Sequence, residues 1–221
     1  MSRLRRPLAA CLSLGAFALV LVAGCNGAAH GSLVPPTRLP LVTHAAFFSS
    51  ETKLSPVLDP QVFVREAASP AAVGPQHIAR VAGFRNALVT DPRDSELYTA
   101  MGARLDGFTL GSWLDASGSV ELAGTQIAVD LAGLRPGGLY SLFENHFDES
   151  PVGFTPLDGS GTSNTIVADA QGRAHLAVTA PRMLTHDNAV LVVYHSDGMA
   201  HGASRGTIGV NAHHQLIVRI P

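Results

Sequence analysis

The spacing of turns constrains this chain more than any other feature. Beyond about Leu105, strand-length apolar segments alternate with turns that carry glycine or proline. Ile127, Val129 and Leu131 alternate with Ala128 and Asp130, the period-two pattern of a half-buried strand. Arg135-Pro136-Gly137-Gly138 makes a turn, and Leu139–Phe143 follows as a second strand. Asn164–Ala168 and Arg173–Thr179 flank Asp169-Ala170-Gln171-Gly172, which predicts a hairpin. Ala189–Tyr194 is apolar throughout, as a strand buried on both faces must be, and Gln215–Ile220 closes the set. Roughly seven to nine short strands joined by turns predict an all-β fold, an antiparallel β-sandwich. With 221 residues, 46% of them hydrophobic, the chain can bury one substantial core.

The N-terminus follows different rules. Met1–Arg6 is basic, and Leu8–Gly24 is apolar apart from Ser13 and uncharged. These are the basic and apolar regions of an export signal, and the run is short of the about 20 residues that span a bilayer comfortably. It ends in Leu21-Val22-Ala23-Gly24-Cys25.

That pentapeptide resembles the lipobox of bacterial lipoproteins: an aliphatic residue, small residues, then cysteine. The resemblance implies a diacylglycerol on the sulfur of Cys25, removal of residues 1–24 and acylation of the new amino group. Anchoring then has enough apolar surface, since each buried methylene contributes about 0.8 kcal/mol and one chain alone binds only marginally. Asn26 stands where aspartate would retain such a protein at the inner membrane, so the resemblance leans toward the outer membrane. The expected localisation is the bacterial cell envelope, lipid-anchored and facing the periplasm or cell surface.

Cys11 lies inside the signal, so the mature chain keeps one cysteine, Cys25. That excludes an internal disulfide, cysteine-ligated metal and thiol catalysis. Arg3, Arg5 and Arg6 precede Cys25 and no acid does, which leaves 12 basic against 17 acidic residues, near −5. A mildly acidic chain without a basic cluster is unsuited to nucleic acid. Its expected partners are the membrane, through the lipid, and an unspecified envelope protein.

The mature chain divides into three parts. Residues 25–41, with Pro35, Pro36 and Pro40, read as the lipidated cysteine and a flexible tether. Residues 42–104 read as an N-terminal extension packing on the sandwich, with Gln61–Arg65 strand-like and His77–Leu88 a short helix or further strand. Residues 105–221 read as the sandwich core. There, Leu134-Arg135-Pro136-Gly137-Gly138-Leu139-Tyr140 resembles the tyrosine corner of Greek-key sandwiches of the immunoglobulin and fibronectin type III kind. The resemblance implies a Tyr140 hydroxyl that bonds back across the corner.

The richest candidate chemistry is histidine. His146 ends one strand, His195-Ser196-Asp197-Gly198-Met199-Ala200-His201 follows the buried strand, and His213 and His214 precede the last. Imidazole and carboxylate suit zinc or copper. If strand ends meet at one rim, His195, Asp197 and His201 share a loop, and His146 or His214 completes a site. No His-x-His pair and no His-Glu-x-x-His occurs, and the His-x-His motif and disulfide of the copper/zinc superoxide dismutase sandwich are absent. His175 reads as a strand histidine facing away from an apolar side.

Other motifs fall short. Gly202-Ala203-Ser204-Arg205-Gly206 matches the nucleophile-elbow pattern, but a loop separates it from the strand and no acid follows Asp197. Asp158–Asn164 with Asp169 loosely suggests a calcium loop, yet Ser163 stands where glycine is needed. Glu144, Asp148 and Glu149 are candidate acid/base carboxylates. Trp113, Tyr140, Phe143, Phe147, Phe154 and Tyr194 are candidates for a ligand groove, most of them expected in the core. The function these features predict is a lipid-anchored envelope protein, a non-enzymatic binding or structural module. The alternative is a histidine-rich zinc- or copper-binding envelope protein, or a metal-dependent enzyme of that kind.

Overall fold

The computed structural model describes residues 35–221. Cys25, the signal segment and the first part of the expected tether lie outside the described residues. No described helix is long and apolar enough to cross a membrane.

In chain order the described elements are β1 (Thr37–Pro40), β2 (Val42–Thr43), α1 (His44–Thr52), β3 (Leu58–Arg65), β4 (Ala72–Val73), β5 (Ala79–Arg80), β6 (Phe84–Leu88), β7 (Glu96–Tyr98) and β8 (Arg104–Thr109). Then follow α2 (Leu110–Leu114), β9 (Ser117–Ala123), β10 (Gln126–Ala132), β11 (Leu139–His146), β12 (Gly153–Pro156), β13 (Thr165–Val167), β14 (Ala174–Thr179), β15 (Asn188–His195) and β16 (Ala212–Arg219). The fold is all-β, with antiparallel strands arranged as a sandwich.

One layer is a four-stranded sheet in the order β1-β9-β10-β14. On β10, Ile127, Val129 and Leu131 are buried while Gln126 and Asp130 face water, as the alternation requires. The facing layer runs β12-β11-β15-β16-β2, with β13 also pairing β11. Its central strand β15 is buried along its whole length. Tyr140, Leu142, Val190, Val192, Tyr194 and Leu216 point toward the first layer and form the main core. Phe143, Leu191, Val193 and Ile217 form a second cluster with Phe47, Phe147 and Phe154.

A bulge on β16 decides which side chains reach which face. The β15–β16 register shifts between Val192 and Val193, so Leu216 opposes Val192 but His214 opposes Val193. His213 therefore enters the main core beside Trp113 and Tyr194. His214 meets His44 and Phe154 instead.

The tyrosine corner has the expected bond: the Tyr140 hydroxyl accepts from the Arg135 N–H at 3.0 Å. The expected hairpin at Asp169–Gly172 needs correction. Asp169 Oδ1 accepts from the Gln171 and Arg173 N–H groups and closes the turn, but β13 pairs with β11 and β14 pairs with β10. The turn carries the chain from one sheet to the other.

Two boundaries also move. The tether does not extend to residue 41, because Thr37–Pro40 pairs with Ser119–Leu122 as strand β1. An edge strand tolerates proline, since one side of it has no ladder to satisfy. Residues 42–104 are part of the body: β2 extends the second sheet through Leu216 and Ile217. β3, β6, β7 and β8 form a third sheet, and β8 runs through the expected boundary at 104/105. Val62, Val64, Leu97, Leu105 and Phe108 belong to the same buried cluster as Val129 and Tyr194. His77–Leu88 holds strands β5 and β6 and no α-helix.

Candidate metal centre

β15 ends at His195, and a loop of glycines and small polar residues connects it to β16 at Ala212. The loop folds upon itself through its own polar groups. The Ser196 N–H donates to the Asn211 carbonyl at 3.0 Å, joining its two ends. Asn211 Oδ1 accepts from the Thr207 N–H at 2.7 Å, and its amide donates to Asp197 Oδ2 at 2.9 Å. Asp197 Oδ1 accepts from the Met199 N–H at 3.1 Å, the self-capping turn that aspartate favours. Gly198 supplies the left-handed residue such a turn needs, at φ 69°. On the far side, the Ala100 N–H donates to the Gly209 carbonyl at 2.7 Å and moors the loop to the turn between β7 and β8.

These bonds gather His195, Asp197 and His201. One ligand atom from each lies within 4.8 Å of the other two. His201 Nε2 is 3.0 Å from Asp197 Oδ2, and both side chains are partly open to solvent. His195 is 1% exposed, and its Nδ1 is buried with no hydrogen-bond partner.

The other nitrogen of His195 explains why. His195 Nε2 lies 2.8 Å from Ser141 Oγ, which lies 3.3 Å from Thr165 Oγ1. The Thr165 hydroxyl donates to Asn164 Oδ1, and the Asn164 amide donates to the Leu142 carbonyl at 3.1 Å. With the end of this chain fixed by a carbonyl, one direction of donation satisfies Asn164 Oδ1 as well. Ser141 donates to Thr165 and accepts from His195 Nε2–H. The lone pair of His195 then sits on Nδ1, the nitrogen without a hydrogen-bond partner. A metal-binding histidine is held in this way by a hydrogen bond from its second nitrogen.

Electrostatics agree with that protonation. Burial, with a smaller push from His201, lowers His195 to about 4, so the ring is neutral at pH 7. Burial alone would raise the Asp197 carboxyl. The Met199 N–H, His201 and the Asn211 amide outweigh it and hold the group below the usual carboxylate range. Two imidazoles and one carboxylate, with a side open to solvent, match the three-ligand sites of zinc and suit copper(II). Donors about 2.0–2.1 Å from tetrahedral zinc sit roughly 3.3 Å apart, so closure needs only a small movement of the loop.

His146 and His214 do not join the cluster, which corrects the expectation of a shared rim. β11 and β15 are antiparallel, with His146 opposite Asn188 and His195 opposite Leu139. Seven residues of strand, roughly 23 Å, therefore separate the two histidines. Both nitrogens of His146 are taken: Arg182 donates to Nδ1 at 2.9 Å, and Nε2 bonds Thr155 Oγ1 at 2.9 Å. His214 accepts from Arg205 Nη1 at 3.2 Å.

The remaining candidates have structural roles. Asp158 accepts from the N–H groups of Gly161, Thr162 and Ser163 and from the hydroxyls of Ser160 and Ser163, so its oxygens hold its own loop. Glu144 is buried against Arg182 at 3.0 Å, while Asp148 and Glu149 are exposed. Ser204 Oγ accepts from the Gly206 N–H, within a loop. His175 is exposed and bonds Asp130 at 2.7 Å. Trp113, Tyr140 and Tyr194 pack in the main core and Phe143 in the second cluster, while Phe147 and Phe154 line a cavity. Ser141, Thr165 and Asn211 are not among the sequence candidates, and Asn164 enters there only as the end of the calcium-loop segment. Only Asn211, as a polar residue just before the last strand, carried a local signal. No family model matches this chain, and no curated protein matches it.

Proposed function

We propose that this chain is a lipid-anchored β-sandwich of the bacterial envelope that binds one zinc or copper ion at His195, Asp197 and His201. The observation that carries this reading is the buried, unpartnered Nδ1 of His195, on a ring gathered with two further donor groups. An unsatisfied buried nitrogen is costly unless something fills its lone pair. A metal ion does so, and the Ser141 bond leaves the ring prepared for it.

The lipobox-like segment supports anchoring through Cys25 and an envelope location for the ion. The reading is one of binding: among the described residues, the nearby Ser204 hydroxyl accepts only from the Gly206 N–H of its own loop. Metal content of the untagged protein, measured by mass spectrometry after purification without chelators, tests the reading. It predicts near-stoichiometric zinc or copper that is lost when His195 and His201 are both changed to Ala. A folded protein without bound metal, before and after incubation with either ion, would overturn it. Anchoring is tested separately: Cys25→Ser is expected to abolish palmitate incorporation and release the protein from membranes.

A further inference from the structure

A second feature of the same loop faces away from the metal cluster. A cavity of about 590 Å³ lies between α1, the outer face of the second sheet and the loop after β15. That volume is in the range of sites for small organic molecules. Its walls are apolar: Phe47 and Phe147 pack at 5.9 Å between centroids, and Phe154 and Ile217 complete the lining.

Within this apolar space stands Arg205. Its guanidinium stacks on Phe154, 3.1 Å from the ring centroid, and donates one bond to the neutral His214. Among the described residues no carboxylate pairs with it. Glu51 lines the mouth but is bonded to Arg219, which stacks on Phe147. The cavity therefore keeps one uncompensated positive charge. Burial lowers Arg205 only to about 10, so it stays charged at neutral pH.

Two further polar groups line the cavity without partners. His44, 4% exposed, leaves Nδ1 unpaired, and Asn145, 5% exposed, leaves Oδ1 unpaired. A partly buried cation without a counter-ion, beside aromatic walls, lacks one component: an anion with an apolar body. We infer that this cavity binds a small organic carboxylate, its carboxylate on the open edge of Arg205 and its apolar body among Phe47, Phe147 and Phe154. Guanidinium presents a planar fork to carboxylate, and stacking on Phe154 leaves that edge in the cavity. The two oxygens of a carboxylate only accept and so suit Arg205, while the body replaces water against the rings.

The site does not depend on the metal reading, since none of its groups belongs to the cluster. The test uses the full chain in zwitterionic detergent, titrated calorimetrically with 2-naphthoate and with the uncharged 2-naphthylmethanol. The carboxylate is expected to bind at least tenfold more tightly than the alcohol. Arg205→Gln is expected to remove that preference and leave the alcohol's affinity unchanged. Val152→Trp, at the partly exposed rim, fills the mouth without disturbing the core and is expected to abolish binding of both probes. Equal affinity for the two probes, carboxylate binding indifferent to either substitution, or no binding to a folded protein overturns the inference.

Discussion

His195 Nε2 and Ser141 Oγ, on neighbouring strands, are 2.8 Å apart, and that bond leaves Nδ1 as the unpartnered nitrogen of a ring clustered with Asp197 and His201. Ser141→Ala removes the acceptor that fixes the ring. Metal affinity is expected to fall by about 10- to 100-fold, the usual effect of losing a group that orients a ligand. Competition against a chromophoric chelator measures it. Unchanged affinity contradicts the orientation argument.

The loop at Asp158–Asn164 buttresses the metal loop from behind. Gly161 has φ 78°, and a side chain there would run into the backbone of Gly202 and Ala203. Backbone cannot swing aside as a side-chain tip does. Gly161→Ala is expected to cost about 1 kcal/mol or more for its left-handed conformation alone, and to weaken metal binding by displacing His201. Denaturation and metal titration of this variant check both effects; wild-type metal affinity would show that the two loops are independent.

Acid is expected to destabilise the fold through its buried histidines. Burial lowers His44 to about 3, His213 to about 4 and His214 well below the ordinary value. As pH falls below about 6.5 the unfolded chain takes up protons that the folded chain refuses, so stability is lost between about pH 6.5 and 4. At pH 5 His44 and His213 each contribute a loss of about 2 kcal/mol, and His214 acts in the same direction. Asp59 works the other way: burial raises it to about 6 against the Gln61, Val62 and Trp113 N–H donors, and its proton uptake restores about 1.4 kcal/mol by pH 5. The histidines outnumber it. The urea midpoint is expected to fall clearly from pH 7.5 to pH 5, and a constant or rising midpoint contradicts this account.

Much of the body is legible in the sequence because a half-buried strand needs only period-two alternation, as Ile127, Val129 and Leu131 show. His195, Asp197 and His201 are legible together because seven residues of one turn hold them. His146 and His214 misled for reasons no single segment contains. The position of His146 depends on the antiparallel pairing of β11 with β15, and that of His214 on one bulged residue in β16. Pro36 and Pro40 resemble a linker until Ser119–Leu122 offers an edge. Arg205 lay inside a motif judged as a failed nucleophile elbow, and its isolation from carboxylates is visible only once α1 closes over it.

The Tyr140 hydroxyl supports the turn that starts β11. Tyr140→Phe leaves the Arg135 N–H without its acceptor, and the expected cost is about 1–3 kcal/mol. A lower urea midpoint with an unchanged slope is the predicted signature. No change in midpoint would mean that water replaces the bond.

The most direct test of the metal centre is histidine nitrogen resonance spectroscopy of ¹⁵N-labelled protein, before and after one equivalent of zinc. The account predicts that zinc shifts Nδ1 of His195 and one nitrogen of His201, while Nε2 of His195 stays protonated on Ser141. Zinc-dependent shifts at His146 or His214 with none at His195, or coordination through His195 Nε2, would contradict it.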